Sequence, residues 1–270
     1  MYDLAAIEAG LEAELAGSIF VGKLHFSPVT GSTNSDALEA ARGGAPHGSV
    51  YFADEQRAGR GRADHAWHSA AGEGLYVSVL LRPSIPSARL PLLPLAAGLA
   101  AADAIHALTG LSVDLRWPND LLIGERKAGG ILVEAHTETS KVAFAVVGIG
   151  INVHQRSFPR DLATPATSLD IEAGRNVDHQ ALFVSLLKSL QREALGLLDA
   201  GAVETIPRRV EAASTWVRGR QVEVHGPQAC VGVTAGLDEN GFLLVRTADG
   251  LVRVQTGGIR AIQTNRETQD

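Results

Sequence analysis

Residues 112–153 read SVDLRWPNDLLIGERKAGGILVEAHTETSKVAFAVVGIGINV, and three of its segments, SVDLRW, GGILVEA and VAFAVVGIGINV, are nearly continuous apolar runs. Runs of this kind are typical of strands in a sheet that is covered on both faces. The stretch therefore predicts strands at the centre of a covered sheet.

Apolar residues at helical spacing flank this stretch on both sides. A stripe from Leu92 to Ile105 predicts a helix that ends near Gly110. A longer stripe from Leu182 to Leu198 predicts a second helix, which begins after Asp178 and ends before Gly201. Helices are thus available to cover the predicted sheet.

The N-terminal part predicts a helix over about residues 3–16, followed by the strand-like SIFVGKLHF at 18–26. Ser32 and Thr33 are N-cap residues, so another helix is expected to begin there. Two further strands are predicted around a glycine-rich stretch: VYFADEQ at 50–56 and LYVSVLLRP at 75–83.

The pattern changes after about Thr215, where short apolar segments alternate with turn signals at 239–241 and 249–250. This spacing predicts a small five-stranded barrel of roughly 50 residues. We therefore expect two domains, residues 1–215 and residues 216–270.

Composition limits the functional classes. The chain has 270 residues, 45% of them hydrophobic, and a net charge of −6. Its one cysteine, Cys230, excludes an intramolecular disulfide and fits a reducing compartment. The acidic balance disfavours general nucleic-acid binding. An N-terminus without a basic secretion signal, and the lack of an apolar run of about 18 residues, predict a soluble cytoplasmic protein with no membrane contact.

The segment EQRAGRGRADHAW, residues 55–67, alternates arginine with glycine directly after a predicted strand. Glycine lets backbone N–H groups approach an anion, and arginine donates two hydrogen bonds to a carboxylate or phosphate. The alternatives at this point are a solvated flexible loop and a nucleic-acid-binding tract. Nine histidines form no HExxH motif or paired ligand set, so no metal site is predicted.

A second group follows the predicted strand that ends at Arg116. The turn Trp117-Pro118-Asn119-Asp120 places an amide and a carboxylate at the strand end. Lys127 lies seven residues after Asp120 and is followed by Ala128 and two glycines. A lysine beside glycines can reach a bound anion with little obstruction. The alternative is an ordinary surface lysine in a hairpin.

Taken together and in order, these motifs resemble those of biotin protein ligases. The matching segments are Gly31-Ser-Thr-Asn34, Gln56-Arg-Ala-Gly-Arg-Gly-Arg62 with Trp67, Arg116-Trp-Pro-Asn-Asp120, Lys127-Ala-Gly-Gly-Ile-Leu-Val-Glu134 and Gly148-Ile-Gly-Ile-Asn152. The resemblance implies an α+β fold with a mixed sheet and flanking helices, as in class II aminoacyl-tRNA synthetases, followed by an SH3-like barrel.

The implied reaction joins biotin and ATP into biotinyl-5'-adenylate, with Mg²⁺ on the phosphates, and moves biotin to one lysine of a biotin carboxyl carrier protein. The residues that match the catalytic group are Lys127, Arg60, Arg62, Asp120 and Asn119. Those that match biotin binding are Ser32, Thr33, Asn34, Gln56, Gly59, Arg60, Arg62, Trp67, Lys127, Gly129, Gly130 and Gly150. Those that match ATP or adenylate binding are Arg60, Arg62, Asn119, Lys127 and Asn152.

The chemistry explains these residue types. Arg60, Arg62 and Lys127 are expected to cancel charge where two anions meet. Asp120, held by Asn119, is the candidate that guides or accepts the proton of the acceptor lysine. A turn-capping role is the alternative for Asp120.

One departure from the family pattern lies in the loop, where Asp64 and His65 replace a second Gly-Arg pair. We therefore hypothesise faster loss of the adenylate. The loop Arg57–Trp67 is also expected to be mobile until a ligand orders it, because fixing eleven residues costs about 10–20 kcal/mol and the sequence suggests no contact to offset this.

Three rival functions fit the sequence less well. A lipoate protein ligase of the same superfamily shares the adenylate chemistry but fits the loop and WPND motifs less well. A non-catalytic nucleic-acid-binding module conflicts with the acidic balance. A bifunctional repressor–ligase needs a DNA-binding domain before residue 25. About 25 residues are too few for such a domain, so the single-function enzyme is favoured. Sheet-edge dimers occur in the family, and either a monomer or a homodimer fits the sequence.

Overall fold

The computed structural model describes residues 2–14, 17–63, 65–160, 162–196 and 204–262. The helices are α1 Leu4–Glu14, α2 Thr33–Arg42, α3 Leu92–Thr109, α4 Leu169–Ala173, α5 His179–Gly196 and α6 Ile206–Ala212. The first seven strands are β1 Leu24–Thr30, β2 Val50–Gln56, β3 Gly74–Leu81, β4 Asp114–Arg116, β5 Asp120–Ile123, β6 Arg126–Glu138 and β7 Lys141–Asn152. The remaining strands are β8 Arg218–His225, β9 Cys230–Leu237, β10 Leu243–Thr247, β11 Gly250–Val254 and β12 Gly258–Ala261.

The larger sheet has the strand order β1-β2-β3-β7-β6-β5-β4. β1 and β2 are parallel, and the other neighbours are antiparallel, so the sheet is mixed. Every residue of β3 is buried. The predicted α+β fold, a mixed sheet with flanking helices, is confirmed.

Helices cover both faces of the central strands, as the apolar runs predict. On one face, Val79 and Val147 belong to the main core with residues of α3 and α5. On the other face, Leu80 and Val146 pack with Ala37 of α2. Alternate side chains of one strand thus enter two different cores.

The apolar segment at 18–26 is a strand only from Leu24 onward, which corrects the sequence prediction. Residues 19–22 form a turn in which Gly22 has a φ of +70° and Lys23 N donates to Phe20 O at 3.0 Å. Phe20 is fully buried, so the apolar run fills the core beside α1 instead of extending the sheet. The predicted helix 3–16 is described as far as Glu14, and Gly201 lies outside the described residues.

The C-terminal sheet has five antiparallel strands in the order β11-β10-β9-β8-β12. It contacts the larger sheet, since Trp117 Nε1 donates to Gly241 O at 3.0 Å. Trp216 and Val217 belong to the same hydrophobic core as Leu115. The five predicted strands are confirmed, and the boundary at 215/216 stays a prediction.

Helix α3 is long and apolar enough to cross a membrane, with a mean hydropathy of 1.5 over 18 residues. Asp103 and His106 interrupt the helix, so it contains no unbroken apolar run of that length. Most of the helix is buried inside the protein, against α5 and the sheet. We therefore describe α3 as the core helix of the larger domain.

Candidate active site

Two glycines form the floor of the candidate site. Gly130 on β6 and Gly150 on β7 face each other in the strand register. The Trp67 indole packs on both, because a Cβ added at Gly150 would lie 2.5 Å from Trp67 Cε2 and one added at Gly130 would lie 3.3 Å from Cζ3. A side chain at Gly129 would meet Gly150 O at 2.8 Å. Only glycine therefore leaves this floor flat.

The indole nitrogen of Trp67 is buried, and no hydrogen-bond partner for it occurs among the described residues. A buried N–H group without a partner is uncommon and marks a place where a polar ligand atom could bind. The Lys127 ammonium lies 5.4 Å from the centre of the Trp67 ring. The Trp67 ring, here termed the aromatic wall, thus lies against the glycine floor and beside the lysine.

Lys127 is held by a carboxylate that it shares with Arg116. Its Nζ lies 2.5 Å from Asp120 Oδ1, and Arg116 Nη2 lies 2.6 Å from Asp120 Oδ2. Burial by itself would raise the pKa of Asp120, but the two cations outweigh burial and hold that pKa below its ordinary value. Asp120 is therefore ionised at neutral pH. A weakly basic carboxylate is better suited to guiding a proton than to keeping one.

The backbone of Lys127 is fixed by a segment that follows β7. Lys127 N donates to Pro165 O at 2.7 Å, and Thr167 N donates to Lys127 O at 3.0 Å. The buried Asn152 side chain donates to Thr167 O at 3.0 Å. Asn152 therefore holds the segment that fixes the Lys127 backbone. Thr164 Oγ1 accepts from Arg116 Nη2 at 2.8 Å and so helps to hold the arginine that pairs with Asp120.

Arg62 has neutral partners. Its Nη1 donates to Asn119 Oδ1 at 3.2 Å and to Gly257 O at 2.9 Å. Asn119 Nδ2 in turn donates to Ile131 O at 2.8 Å. Burial lowers the pKa of the Arg62 guanidinium, and Asp120 offsets part of that effect. The C-terminal sheet thus contributes directly to the placement of a site cation.

Arg60 has a charged partner instead. Its Nη1 and Nη2 donate to Glu134 Oε1 and Oε2 at 3.1 and 2.6 Å. Asn34 Nδ2 donates to the same carboxylate at 2.9 Å. The two arginines of the loop therefore differ in how far their charge is compensated.

A partly buried hydrogen-bonded row connects α2 with β2 and β3. Gln56 Oε1 accepts from Thr33 N at 2.9 Å and from Thr33 Oγ1 at 3.1 Å, and Thr33 Oγ1 lies 2.8 Å from Ser78 Oγ. Gln56 Nε2 donates to Ser69 Oγ at 2.8 Å. A Cβ at Gly59 would lie 2.4 Å from Trp67 O, so the loop starts in close contact with its own end.

The loop has contacts that the sequence analysis does not foresee. Gly61 N donates to His65 O at 2.6 Å and Trp67 N donates to Gly59 O at 2.8 Å, which folds the loop back on itself. The Arg60 and Arg62 side chains then attach it to β6 and to the C-terminal sheet. The expectation that no contact offsets the cost of ordering the loop is wrong. The contacts could not be foreseen because the partners of Arg60 and Arg62 lie 74 and 195 residues away along the chain. Asp64, on which the leakage hypothesis depends, lies outside the described residues.

Most of the predicted residues lie along β6 and β7, with Lys127, Gly130, Gly150 and Trp67 at one end of these strands and Arg60 and Asn34 at Glu134 further along β6. Ser32 is the buried residue before α2, and its side chain makes no capping hydrogen bond. Asn152 holds the segment that contacts Lys127, and the ligand-binding roles predicted for both residues stay predictions. Sequence reasoning missed the partners Arg116, Glu134, Ser78 and Gly257. Arg116 and Glu134 lie in quoted motifs, but nothing local indicates what they contact. Among the described residues, no group of three His, Cys, Asp or Glu side chains could hold a metal ion.

Comparison with known proteins identifies the class. Residues 26–152 match the Biotin/lipoate A/B protein ligase family. The chain belongs to this family of ligases. This confirms the resemblance that the motifs indicate.

Individual relatives agree over most of the chain. The bifunctional ligase/repressor BirA of Bacillus spizizenii is 34% identical over 94% of this chain and 77% of its own length. The biotin–[acetyl-CoA-carboxylase] ligase of Mycobacterium tuberculosis is 33% identical over 85% of each chain. A biotin protein ligase from Aquifex aeolicus, solved in complex with biotin and ATP, superposes with a TM-score of 0.76 at 29% identity and covers 90% of this chain and 100% of that chain.

Proposed function

We propose that this protein activates biotin with ATP to biotinyl-5'-adenylate and then transfers biotin to one lysine of a biotin carboxyl carrier protein. The observation that carries the proposal is the pairing of two cations, Lys127 and Arg62, with a glycine floor and an aromatic wall. The names of the relatives and the biotin and ATP bound in the Aquifex aeolicus enzyme support it.

In the first step, the biotin carboxylate attacks the α-phosphorus of ATP and pyrophosphate leaves. Two anionic groups must meet, so the enzyme has to supply positive charge where they approach. Lys127 and Arg62 do this in our proposal, because Arg62 donates hydrogen bonds only to neutral oxygens and Lys127 shares its carboxylate with Arg116. Asn119 holds Arg62 in place, and the catalytic role predicted for Arg60 stays a prediction.

The biotin ring system is small and carries one polar urea. The row around Thr33 and Gln56 offers hydroxyl and amide groups for that urea, while the acyl chain lies along Trp67, which Gly130 and Gly150 allow to sit close to the sheet. Ser32, Asn34, Gly59 and Gly129 support this pocket in our proposal. Mg²⁺ enters as a complex with the ATP phosphates, the manner in which this ion commonly binds.

In the second step, the acceptor amine attacks the acyl carbonyl and AMP leaves. The arriving lysine is a cation and must first lose a proton. Asp120, which is ionised at neutral pH, guides this amine in our proposal. We further propose that the enzyme works in the cytoplasm, as a monomer or as a homodimer.

The test mixes the protein with MgATP, biotin and a carrier domain and weighs the carrier by mass spectrometry. We expect a gain of one biotinyl group on one lysine, which disappears when ATP is omitted. Excess lipoate should not compete, and an oligonucleotide should not bind at low salt. The proposal would be rejected if the protein attached lipoate to a lipoate acceptor domain and did not biotinylate the carrier.

A further inference from the structure

The two arginines of the loop, Arg60 and Arg62, have different electrostatic partners, and this difference indicates different roles. Arg62 donates only to neutral oxygens, and no ion pair of Arg62 occurs in the described part of the chain. Arg60 donates two hydrogen bonds to one carboxylate, that of Glu134, at 3.1 and 2.6 Å. A bidentate pair of this kind is neutral overall, so it attracts another anion less than an arginine without a carboxylate partner does.

Glu134 is itself fixed before Arg60 reaches it. Asn34 Nδ2 donates to Glu134 Oε2 at 2.9 Å, and Asn34 Oδ1 accepts from Ser78 Oγ at 2.6 Å. Gly148 leaves room for this amide, since a Cβ there would lie 2.1 Å from Asn34 Oδ1. The amide can therefore present only its N–H to Glu134, which orients the carboxylate toward the loop.

The position of Arg60 in the loop determines what the pair controls. Arg60 forms an isolated antiparallel β-bridge with Ala66, and the neighbouring Gly59 O accepts from Trp67 N at 2.8 Å. Fixing Arg60 therefore also fixes the backbone that carries Arg62 and Trp67. Glu134 lies on β6, where it pairs with Val146 in the middle of the larger sheet, so it is a rigid anchor.

We propose that Glu134 is a positioning residue that latches the arginine loop over the site through Arg60, and that Arg60 is the moving half of this latch and not an anion-binding group. The inference rests on the proposed function for its consequence, which is retention of the adenylate. The latch itself is a property of the protein without substrates.

The first test compares Glu134→Gln with wild type and with Glu138→Gln, a matched control on the same strand. In protein without substrates, we expect amide exchange of the loop peptides to become about fivefold faster in Glu134→Gln and to stay unchanged in the control, because a half-exposed ion pair contributes a modest increment. Equal exchange in all three proteins would overturn the latch.

The second test measures the dissociation of biotinyl-5'-adenylate together with KM and kcat. We expect Glu134→Gln to release the adenylate about fivefold faster and to raise KM for biotin by a similar factor, while kcat stays within about twofold of wild type. A loss confined to kcat would overturn the proposal, because a positioning role acts on loop closure.

A double-mutant cycle with Arg60→Gln separates the latch from direct catalysis. If Glu134 acts through Arg60, the double variant exchanges and dissociates no faster than either single variant. Additive effects, or a loss of kcat of more than about 100-fold in Arg60→Gln alone, would overturn the proposal. A wild-type enzyme that forms no adenylate would instead reject the proposed function and leave the exchange result to decide the latch.

Discussion

Gly150→Ala tests the glycine floor most severely. The added Cβ would lie 2.5 Å from Trp67 Cε2, 2.6 Å from Nε1 and 2.9 Å from Cζ2. Carbon atoms in ordinary contact lie about 3.5–4.0 Å apart, so the indole must move by roughly 1 Å or more. Overpacking of this size costs about 1–3 kcal/mol of folding stability. Because the displaced indole no longer lines the site as in wild type, we also expect weaker biotin binding, and a loss of the same 1–3 kcal/mol in binding free energy corresponds to about 5- to 150-fold.

Isothermal titration calorimetry with biotin measures the loss, and a thermal melt checks that the fold persists. The matched control is Gly98→Ala, whose Cβ would meet Leu115 Cδ2 at an ordinary 3.5 Å. Gly130→Ala should fall between them, because its nearest contact is 3.3 Å to Trp67 Cζ3. Wild-type affinity in Gly150→Ala, with an unchanged fold, would refute the reasoning that the glycine floor sets the position of the Trp67 wall against which biotin lies.

Three further predictions concern the site and its supports. Lys127→Ala should lower the rate of adenylate formation by about 10²–10³, the usual cost of losing one preorganised donor, whereas wild-type single-turnover rates would contradict its role. Trp117→Phe removes the hydrogen bond to Gly241 O, so we expect unfolding free energy to fall by about 1–3 kcal/mol in urea titrations; an unchanged midpoint would show that this contact between the sheets contributes nothing. Burial, reinforced by His154, lowers the pKa of His179 to about 4. Between about pH 6.5 and 4 the unfolded chain therefore binds a proton that the folded protein does not. Stability should decrease as the pH is lowered from about 6.5 to 4. His179→Gln should flatten this dependence, and an equally steep profile would contradict the assignment.

Much of the fold could be predicted because the strongest signals are local. The buried strands around Val147 and the helix from Leu92 are marked by apolar runs and periodicity, and the structure confirms both. Phe20 shows the limit of that reasoning. An apolar run near a glycine predicts burial, but whether burial is reached in a strand or in a turn depends on the partner core.

The candidate site could be predicted at the level of motifs and not at the level of partners. Lys127 and Arg62 are recognisable because their residue types suit anions, whereas Arg60 looks the same in the sequence and is paired with Glu134 in the structure. Their partners depend on strand register and on the docking of the C-terminal sheet, as with Gly257, which lies 195 residues from Arg62. No pattern near Glu134 indicates that it pairs with the loop.

The central claim is that this site joins a biotin carboxylate to the α-phosphate of ATP. Exchange of labelled pyrophosphate into ATP tests that step directly, because it requires the adenylate to form and reverse without any carrier protein. We predict exchange that depends on biotin and falls by about 10²–10³ in Lys127→Ala. Exchange that is absent, or that proceeds equally well without biotin, would contradict the claim.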